Sequence, residues 1–145
     1  MNERSLMLQL KYTSKEWRAY MKRVALEAGI PEAFRPVIVY LHNNPGKSQK
    51  TVAAECRVTG AAISRTISDM LRDGYIIRQS DQSDGRLKLL YLTEKGEDSW
   101  RRMHEKLQAA DERIAKLLTP EKEKEVTSIM AMLEEFIRGG LEEDA

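Results

Sequence analysis

The sequence predicts a mainly α-helical fold of one domain that carries a small antiparallel β-hairpin. Most apolar residues recur at the three- and four-residue spacing of helices, and only two short runs are rich in β-forming residues. No linker-like stretch or internal repeat divides the chain of 145 residues. With 41% hydrophobic and 32% charged residues, the composition is typical of a globular protein that buries a core.

The first third of the chain predicts two helices. Residues 13–16 form a capping-box pattern that is expected to start the first helix, with residues 6–10 as an earlier turn or an extension of the same apolar face. Gly29 is expected to end that helix. The second helix is expected over residues 31–43, and Pro36 predicts a bend or a late start because proline lacks the backbone N–H.

The middle of the chain predicts two helices separated by a two-residue turn, followed by a β-hairpin. The short helix covers residues 50–56, and Thr59 caps the longer helix, which runs to about Arg72. Two strands follow at residues 75–79 and 87–92. The polar, turn-forming residues between these strands predict an exposed hairpin tip.

The last third predicts two long helices, the first beginning at Thr93 and the second capped by Thr119 and ending at Gly139-Gly140. Each helix carries an apolar stripe, which has two interpretations: a helical hairpin within one chain, or an interface between two chains. Because these two faces together with that of the first helix exceed what a small core can cover, we favour the dimer. The two stripes comprise Trp100, Met103, Leu107, Ala110, Ile114 and Leu117, and then Val126, Ile129, Met130, Leu133, Phe136 and Ile137.

The net charge of +1 is unevenly distributed along the chain. Residues 45–92 carry a net charge of +3, as do residues 1–44, whereas residues 93–145 carry −5. A basic middle third favours a local anionic partner. The single cysteine, Cys56, excludes an internal disulfide and fits a reducing compartment, and residues 1–4 lack the start of a signal peptide. We therefore expect a cytoplasmic protein that does not enter a membrane.

The helix that Thr59 caps is expected to be two-sided. Ile63, Ile67, Met70 and Leu71 share one side, and the opposite side presents Ala61, Ala62, Arg65, Ser68, Asp69 and Arg72. Small residues allow close approach to a DNA groove, where an arginine reaches guanine or phosphate. Taken alone, this pattern is equally compatible with an ordinary surface helix.

The hairpin tip favours the nucleic-acid interpretation. Asp84, Gly85 and Arg86, followed by Lys88, place cations on a ribbon that fits along a minor groove or a phosphate backbone. Asp84 is expected to steer the guanidinium of Arg86. Only the combination of both motifs at short spacing is specific, and it predicts binding to double-stranded DNA.

Residues 61–76, the Asp84-Gly85-Arg86 tip and residues 90–96 resemble the recognition helix, wing and connecting helix of the MarR family of winged helix-turn-helix regulators. The order of helices resembles that family over nearly the whole chain. The resemblance implies a winged helix-turn-helix part at about residues 31–95, flanked by dimerisation helices at about residues 1–30 and 96–145. It also implies a homodimer whose two recognition helices enter adjacent major grooves of a pseudo-palindromic operator. We expect repression as the outcome, with activation as the alternative.

The resemblance assigns roles to individual residues. Arg86 is expected in the minor groove, Ser64 and Arg65 at the DNA face, and Ser48 and Thr59 on phosphates at helix N-termini. Other basic residues add phosphate attraction. The complete set of expected DNA-binding residues is Ser48, Lys50, Thr59, Ala61, Ala62, Ser64, Arg65, Ser68, Arg72, Arg78, Asp84, Arg86 and Lys88.

A small effector is a further expectation from the resemblance, because the family often binds aromatic or phenolic anions between its dimer helices and its winged part. The candidate lining residues are Trp17, Tyr20, Arg35, Tyr40 and His42. Each of them is also compatible with a role in the core or the dimer interface.

No enzyme, cofactor or metal site is expected, because His42 and His104 lack a ligand pattern and no phosphate-binding loop occurs. Two alternatives to operator binding remain. A protein-interaction module such as an antirepressor is favoured only by Asp69 on the groove face. A thiol sensor would use Cys56 with its pKa lowered by Arg57, although family sensors carry their cysteine in the first helix and a lone cysteine more often serves packing.

Overall fold

The structure, a computed structural model, describes residues 5–143 and is mostly helical with one small antiparallel sheet. A 3₁₀ turn at Glu32–Phe34 precedes the second α-helix. The helices are α1 (Leu6–Glu27), α2 (Arg35–Asn43), α3 (Gln49–Glu55), α4 (Gly60–Arg72), α5 (Glu94–Ala115) and α6 (Pro120–Glu143), and the strands are β1 (Lys47–Ser48), β2 (Ile76–Ser80) and β3 (Lys88–Leu92). The predicted fold class is confirmed.

The start of α1 differs from the sequence prediction. The helix begins at Leu6 and is capped by Ser5, whose Oγ accepts a hydrogen bond from the backbone N–H of Leu8 at 3.3 Å. The expected extension of the helix over residues 6–10 is therefore confirmed, and the expected start at residues 13–16 is wrong. Ser14 lies inside the helix, where its Oγ accepts from Arg18 Nη2 at 3.2 Å. A capping residue in a helix interior can satisfy its hydroxyl this way without ending the helix.

The predicted late start of the second helix is confirmed. Pro36 lies in the first turn of α2, where its missing N–H would have had no partner within the helix. At the other end of the chain, the expected stop at Gly139-Gly140 is wrong, because α6 continues to Glu143. Glycine lowers helix propensity by about 1 kcal/mol, but it does not forbid helical backbone.

The sheet has the order β1-β3-β2, with both pairs antiparallel. The two predicted strands are confirmed within a residue or two of their expected bounds, and Arg78 in β2 lies opposite Leu90 in β3. Strand β1 was not predicted. Its two residues are too few to show an alternating pattern, and it exists because Lys47 and Ser48 pair with the far edge of β3.

The core lies between α2, α3, α4 and the sheet. Its fully buried side chains include Ile38, Leu41, Val52, Ile67, Met70, Ile76 and Leu90. The chain divides into two compact units, one ending at Lys106 and one starting at Leu107. Within residues 5–143, no helix has the length and hydropathy needed to cross a bilayer.

Candidate nucleic-acid interface

The helix-turn-helix is built from α3, a short turn and α4, and each helix is capped by a hydroxyl. Ser48 Oγ accepts from the N–H of Thr51 at 3.2 Å, and Thr59 Oγ1 accepts from the N–H of Ala62 at 3.3 Å. Between the helices Arg57 adopts a left-handed φ of +54°, which reverses the chain within the predicted turn. The Thr59 hydroxyl retains a proton to donate, which is compatible with its expected phosphate contact. Ser48 Oγ also lies 3.0 Å from Thr51 Oγ1, in a hydrogen bond for which either hydroxyl can be the donor.

The predicted two-sided character of α4 is confirmed. Ile63, Ile67 and Met70 are buried, and Leu71 is half-buried beside them. The opposite side is exposed except for the half-buried Asp69, and it carries Ala61, Ala62, Ser64, Arg65, Ser68 and Arg72. Lys50 on α3 and Arg78 on β2 are exposed as well. The expected DNA-facing residues of α4 therefore share one solvent-accessible surface.

Three of the four arginines expected at the interface, Arg65, Arg72 and Arg86, differ in their partners. Arg72 is held by two carboxylates, with Nη1 at 2.8 Å from Asp69 Oδ1 and Nε at 2.9 Å from Asp73 Oδ1. The hydrogen bond that Arg72 donates to Asp73, followed by the charges of both aspartates, raises the pKa of Arg72. Within residues 5–143, the guanidinium groups of Arg65 and Arg86 have no hydrogen-bond or ion-pair partner. Their charges are therefore available to a ligand, whereas that of Arg72 is balanced.

The wing tip is shaped by its own aspartates. Asp84 Oδ1 accepts from the backbone N–H of Arg86 at 3.0 Å, so the expected steering of the Arg86 guanidinium is wrong: the carboxylate fixes the backbone instead. Asp81 Oδ1 accepts from both the N–H and the Oγ of Ser83 at 3.0 Å. These bonds to Ser83 lower the pKa of Asp81. The ammonium group of Lys88 donates a hydrogen bond to Ser80 Oγ.

Gln49, at the first position of α3, was missed by the sequence reasoning. Its Nε2 donates to Ser64 Oγ at 2.9 Å, and its Oε1 accepts from Arg78 Nη2 at 3.3 Å. It thereby connects two expected DNA-binding residues that lie 14 positions apart in sequence on α4 and β2. Only its place directly after the Ser48 cap could have drawn attention to it.

The C-terminal end of α4 is anchored to the start of α5. Thr93 Oγ1 donates to the carbonyl of Gly74 at 2.6 Å, and Lys95 Nζ donates to the carbonyl of Asp73 at 2.7 Å. The ammonium of Lys95 also lies 4.4 Å from the centre of the Tyr75 ring. A Cβ at Gly96 would lie 2.3 Å from the Tyr75 carbonyl oxygen, so only glycine allows this approach.

The expected effector residues form two separate groups among the described ring contacts. Trp17 is exposed and lies against the half-buried Tyr20, with ring centroids 6.1 Å apart. His42 belongs to a second group that includes Trp100: the two rings stack at 3.5 Å, and His42 Nδ1 lies 2.7 Å from Glu97 Oε2.

The remaining two effector candidates, Arg35 and Tyr40, are half-buried on α2. The Nε of Arg35 is buried and has no hydrogen-bond partner among the described residues. Partial burial is the largest cause that raises the pKa of Tyr40, so its phenol stays protonated near neutral pH.

The environment of Cys56 contradicts activation of its thiol. The side chain is half-buried, and burial, followed by the charge of Glu55, raises its pKa. The thiol-sensor alternative needed Arg57 to lower this pKa, and the direction found is the opposite. A raised pKa reduces the thiolate fraction that reacts with oxidants.

Comparisons with known proteins agree with this architecture. A MarR family model matches residues 30–87. The HTH-type transcriptional regulator BilQ of Clostridium symbiosum is 26% identical over 82% of this chain and 83% of its own length. A putative transcriptional regulatory protein for the hcr operon of Thauera aromatica is 22% identical over 66% of this chain and 58% of its own length. Both relatives carry names of transcriptional regulators.

Solved structures share the fold. A MarR family transcription regulator of known crystal structure aligns with a TM-score of 0.83 and 19% identity, covering 93% of this chain and 89% of its own. A mutant of S. aureus MepR bound to an oligodeoxyribonucleotide aligns with a TM-score of 0.63 and 18% identity, covering 93% of this chain and 99% of its own.

Proposed function

We propose that this chain, whose residues 30–87 match a MarR family model, is a transcriptional regulator of that family that binds a pseudo-palindromic DNA operator as a homodimer and represses transcription. The observation that carries this proposal is the exposed face of α4, where Arg65 has no partner among the described residues, beside a wing whose Arg86 is equally available. Two such units about 34 Å apart, one turn of DNA, would read an inverted repeat. The protein would act in the cytoplasm by blocking access of RNA polymerase.

Apolar surface on two helices supports the homodimer. Helix α1 exposes Leu6, Met7, Leu8, Trp17 and Leu26, and α6 exposes Val126, Ile129, Met130, Met132, Phe136 and Ile137. The side chain of Phe136 is 72% exposed, which is unusual for an aromatic residue on the surface of a monomer. A second copy of the chain is the proposed cover for both faces.

Phe136→Asp should shift the protein towards monomer in sedimentation equilibrium, and an unchanged dimer would remove α6 from the interface.

The direct test of operator binding is selection of bound duplexes from a random pool, followed by titration of the winner against salt. We expect an inverted repeat, and an affinity that falls steeply with salt because lysine and arginine contacts release counterions from phosphates. In the same selection, Arg65→Ala should relax preference at one base pair of each half-site by about 1–3 kcal/mol. Enrichment of no sequence, with weak binding to every duplex, would contradict the proposal.

A small aromatic or phenolic anion is the proposed effector, and Arg35 provides its support. A buried guanidinium N–H without an acceptor is costly, and an anionic ligand would satisfy it. A phenolic carboxylate added to the operator complex should release the DNA, and Arg35→Lys should weaken that release because lysine lacks the planar fork of donors. Release that is identical in the variant would remove Arg35 from the effector site.

The interaction-module alternative is weakened by the pairing of Asp69. This residue was the single feature that favoured a face repelling DNA, and its carboxylate is compensated by Arg72. The thiol-sensor alternative is weakened by the raised pKa of Cys56. Operator binding is therefore the function that the described residues support best.

A further inference from the structure

We propose that Gln49 is a positioning residue for DNA recognition, which uses Arg78 to orient its amide and thereby presents the Ser64 hydroxyl as a hydrogen-bond donor to an acceptor on DNA. This inference rests on the proposed function, because it assigns a role within the same α4 surface. It adds a third side chain to the expected contacts of Ser64 and Arg78.

The orientation of the Gln49 amide is set by Arg78. A guanidinium carries donors only, so the atom of Gln49 that faces Arg78 Nη2 at 3.3 Å must be the carbonyl oxygen. The opposite amide orientation would place donor against donor. With Oε1 turned to Arg78, the amide NH₂ faces α4, where Nε2 lies 2.9 Å from Ser64 Oγ.

The direction of the second bond fixes what Ser64 can offer to DNA. An amide N–H can only donate, so Ser64 Oγ accepts from Gln49, and its own proton cannot be directed back at the amide nitrogen. No other partner of the Ser64 side chain occurs among residues 5–143. The hydroxyl proton is therefore available at the exposed face of α4.

The chain of bonds also strengthens that donor. The charge of Arg78 polarises the Gln49 carbonyl, which makes the amide N–H a better donor, and acceptance of that N–H makes the Ser64 hydroxyl a better donor in turn. A strengthened donor fits the acceptors that DNA presents: a phosphate oxygen, or base-edge acceptors such as purine N7 in the major groove. The shared chemistry is a hydrogen-bond acceptor, and its source is decided by the test.

The test is a double-mutant cycle with Gln49→Met and Ser64→Ala, measured on the operator selected by the wild-type protein. Each single variant should weaken binding about threefold to tenfold, the range of one net hydrogen bond, and the double variant should be no weaker than Ser64→Ala alone. Gln79→Met is the matched control. Gln79 is exposed and follows Arg78 in β2, and because successive side chains of a strand alternate, it lies on the other face of the sheet. It should bind as the wild type does.

The sequence dependence separates the two acceptor sources. Relaxed preference at one base pair in both single variants identifies a base edge, and uniform weakening across sequences identifies a phosphate. Additive losses in the double variant, or wild-type affinity for Gln49→Met, would overturn the role of Gln49. Failure of the wild-type protein itself to select an operator would instead overturn the proposed function.

A second variant guards against a loss of folding in Gln49→Met. Gln49→Glu keeps the size of the side chain and its contact with Arg78, but it has no N–H to donate, so the Ser64 proton would turn towards the carboxylate. Ser64→Ala should then have no further effect on affinity in that background. A normal loss of affinity from Ser64→Ala in the Gln49→Glu background would contradict the proposal, and thermal melting of each variant checks its fold.

Discussion

The two ends of α4 are held in different ways. At the N-terminal end, the N–H of Ala62 donates to the Thr59 cap and Gln49 donates to the Ser64 hydroxyl, and residues 59–62 are exposed. The C-terminal end is anchored through backbone carbonyls by Thr93 and Lys95. We infer that the N-terminal end of α4 contacts the ligand and that the C-terminal end sets the position of the helix. Variants at each end test this difference in role.

The largest effect is expected at the anchored end, from Gly96→Ala. The new Cβ would lie 2.3 Å from the Tyr75 carbonyl oxygen, so backbone must move and the Thr93 contact with Gly74 is lost. We expect the free energy of unfolding to fall by at least about 2 kcal/mol, as for overpacked sites. Urea denaturation followed by circular dichroism measures the change.

Gly60→Ala is the matched control at the other end of the helix. Nothing lies within 4 Å of a Cβ added there, and alanine favours the first turn of a helix. Stability should be unchanged or should rise by up to about 1 kcal/mol. If both alanine variants were equally tolerated, the two ends of α4 would not differ in the way that the contacts indicate.

The second prediction compares arginines according to their partners. Arg86→Ala should weaken operator binding by more than about tenfold and reduce the slope of log affinity against log salt by about one, with the dimer intact. Arg72→Gln should leave that slope unchanged, because Asp69 and Asp73 already balance the charge of Arg72. Fluorescence anisotropy at several salt concentrations measures both slopes. An equal loss of slope in the two variants would show that the ion pairs of Arg72 open on DNA.

The sequence was sufficient to predict the features that depend on local pattern. The two sides of α4, its Thr59 cap and the paired strands follow from periodicity, capping chemistry and β-propensity, which act over a few residues. Strand β1 was missed because its two residues derive their pairing from β3, more than 40 positions away in sequence. The start of α1 was misplaced because Ser14 satisfies its hydroxyl through Arg18 within the helix.

In the candidate site, too, some features follow from local sequence and others depend on the tertiary structure. Exposure of Arg65 could be predicted from its place on the helix. The balance of Arg72 by Asp69 and Asp73 involves neighbours in sequence, but choosing between an ion pair and a free cation requires rotamers. The Gln49 contacts with Ser64 and Arg78 join three elements, and no local signal encodes them. Predicting such contacts requires the tertiary arrangement.

The smallest effect is expected at the N-terminal end of α4, from loss of the Thr59 cap. Thr59→Ala removes the acceptor for the N–H of Ala62 and should lower the free energy of unfolding by about 1 kcal/mol, whereas Thr59→Ser keeps the hydroxyl and should cost little. If Thr59 also donates to a phosphate, only the alanine variant should bind DNA more weakly. An alanine variant with normal stability would mean that water satisfies the N–H of Ala62 as well as the threonine hydroxyl does. The Thr59 cap would then contribute nothing to the stability of the free protein.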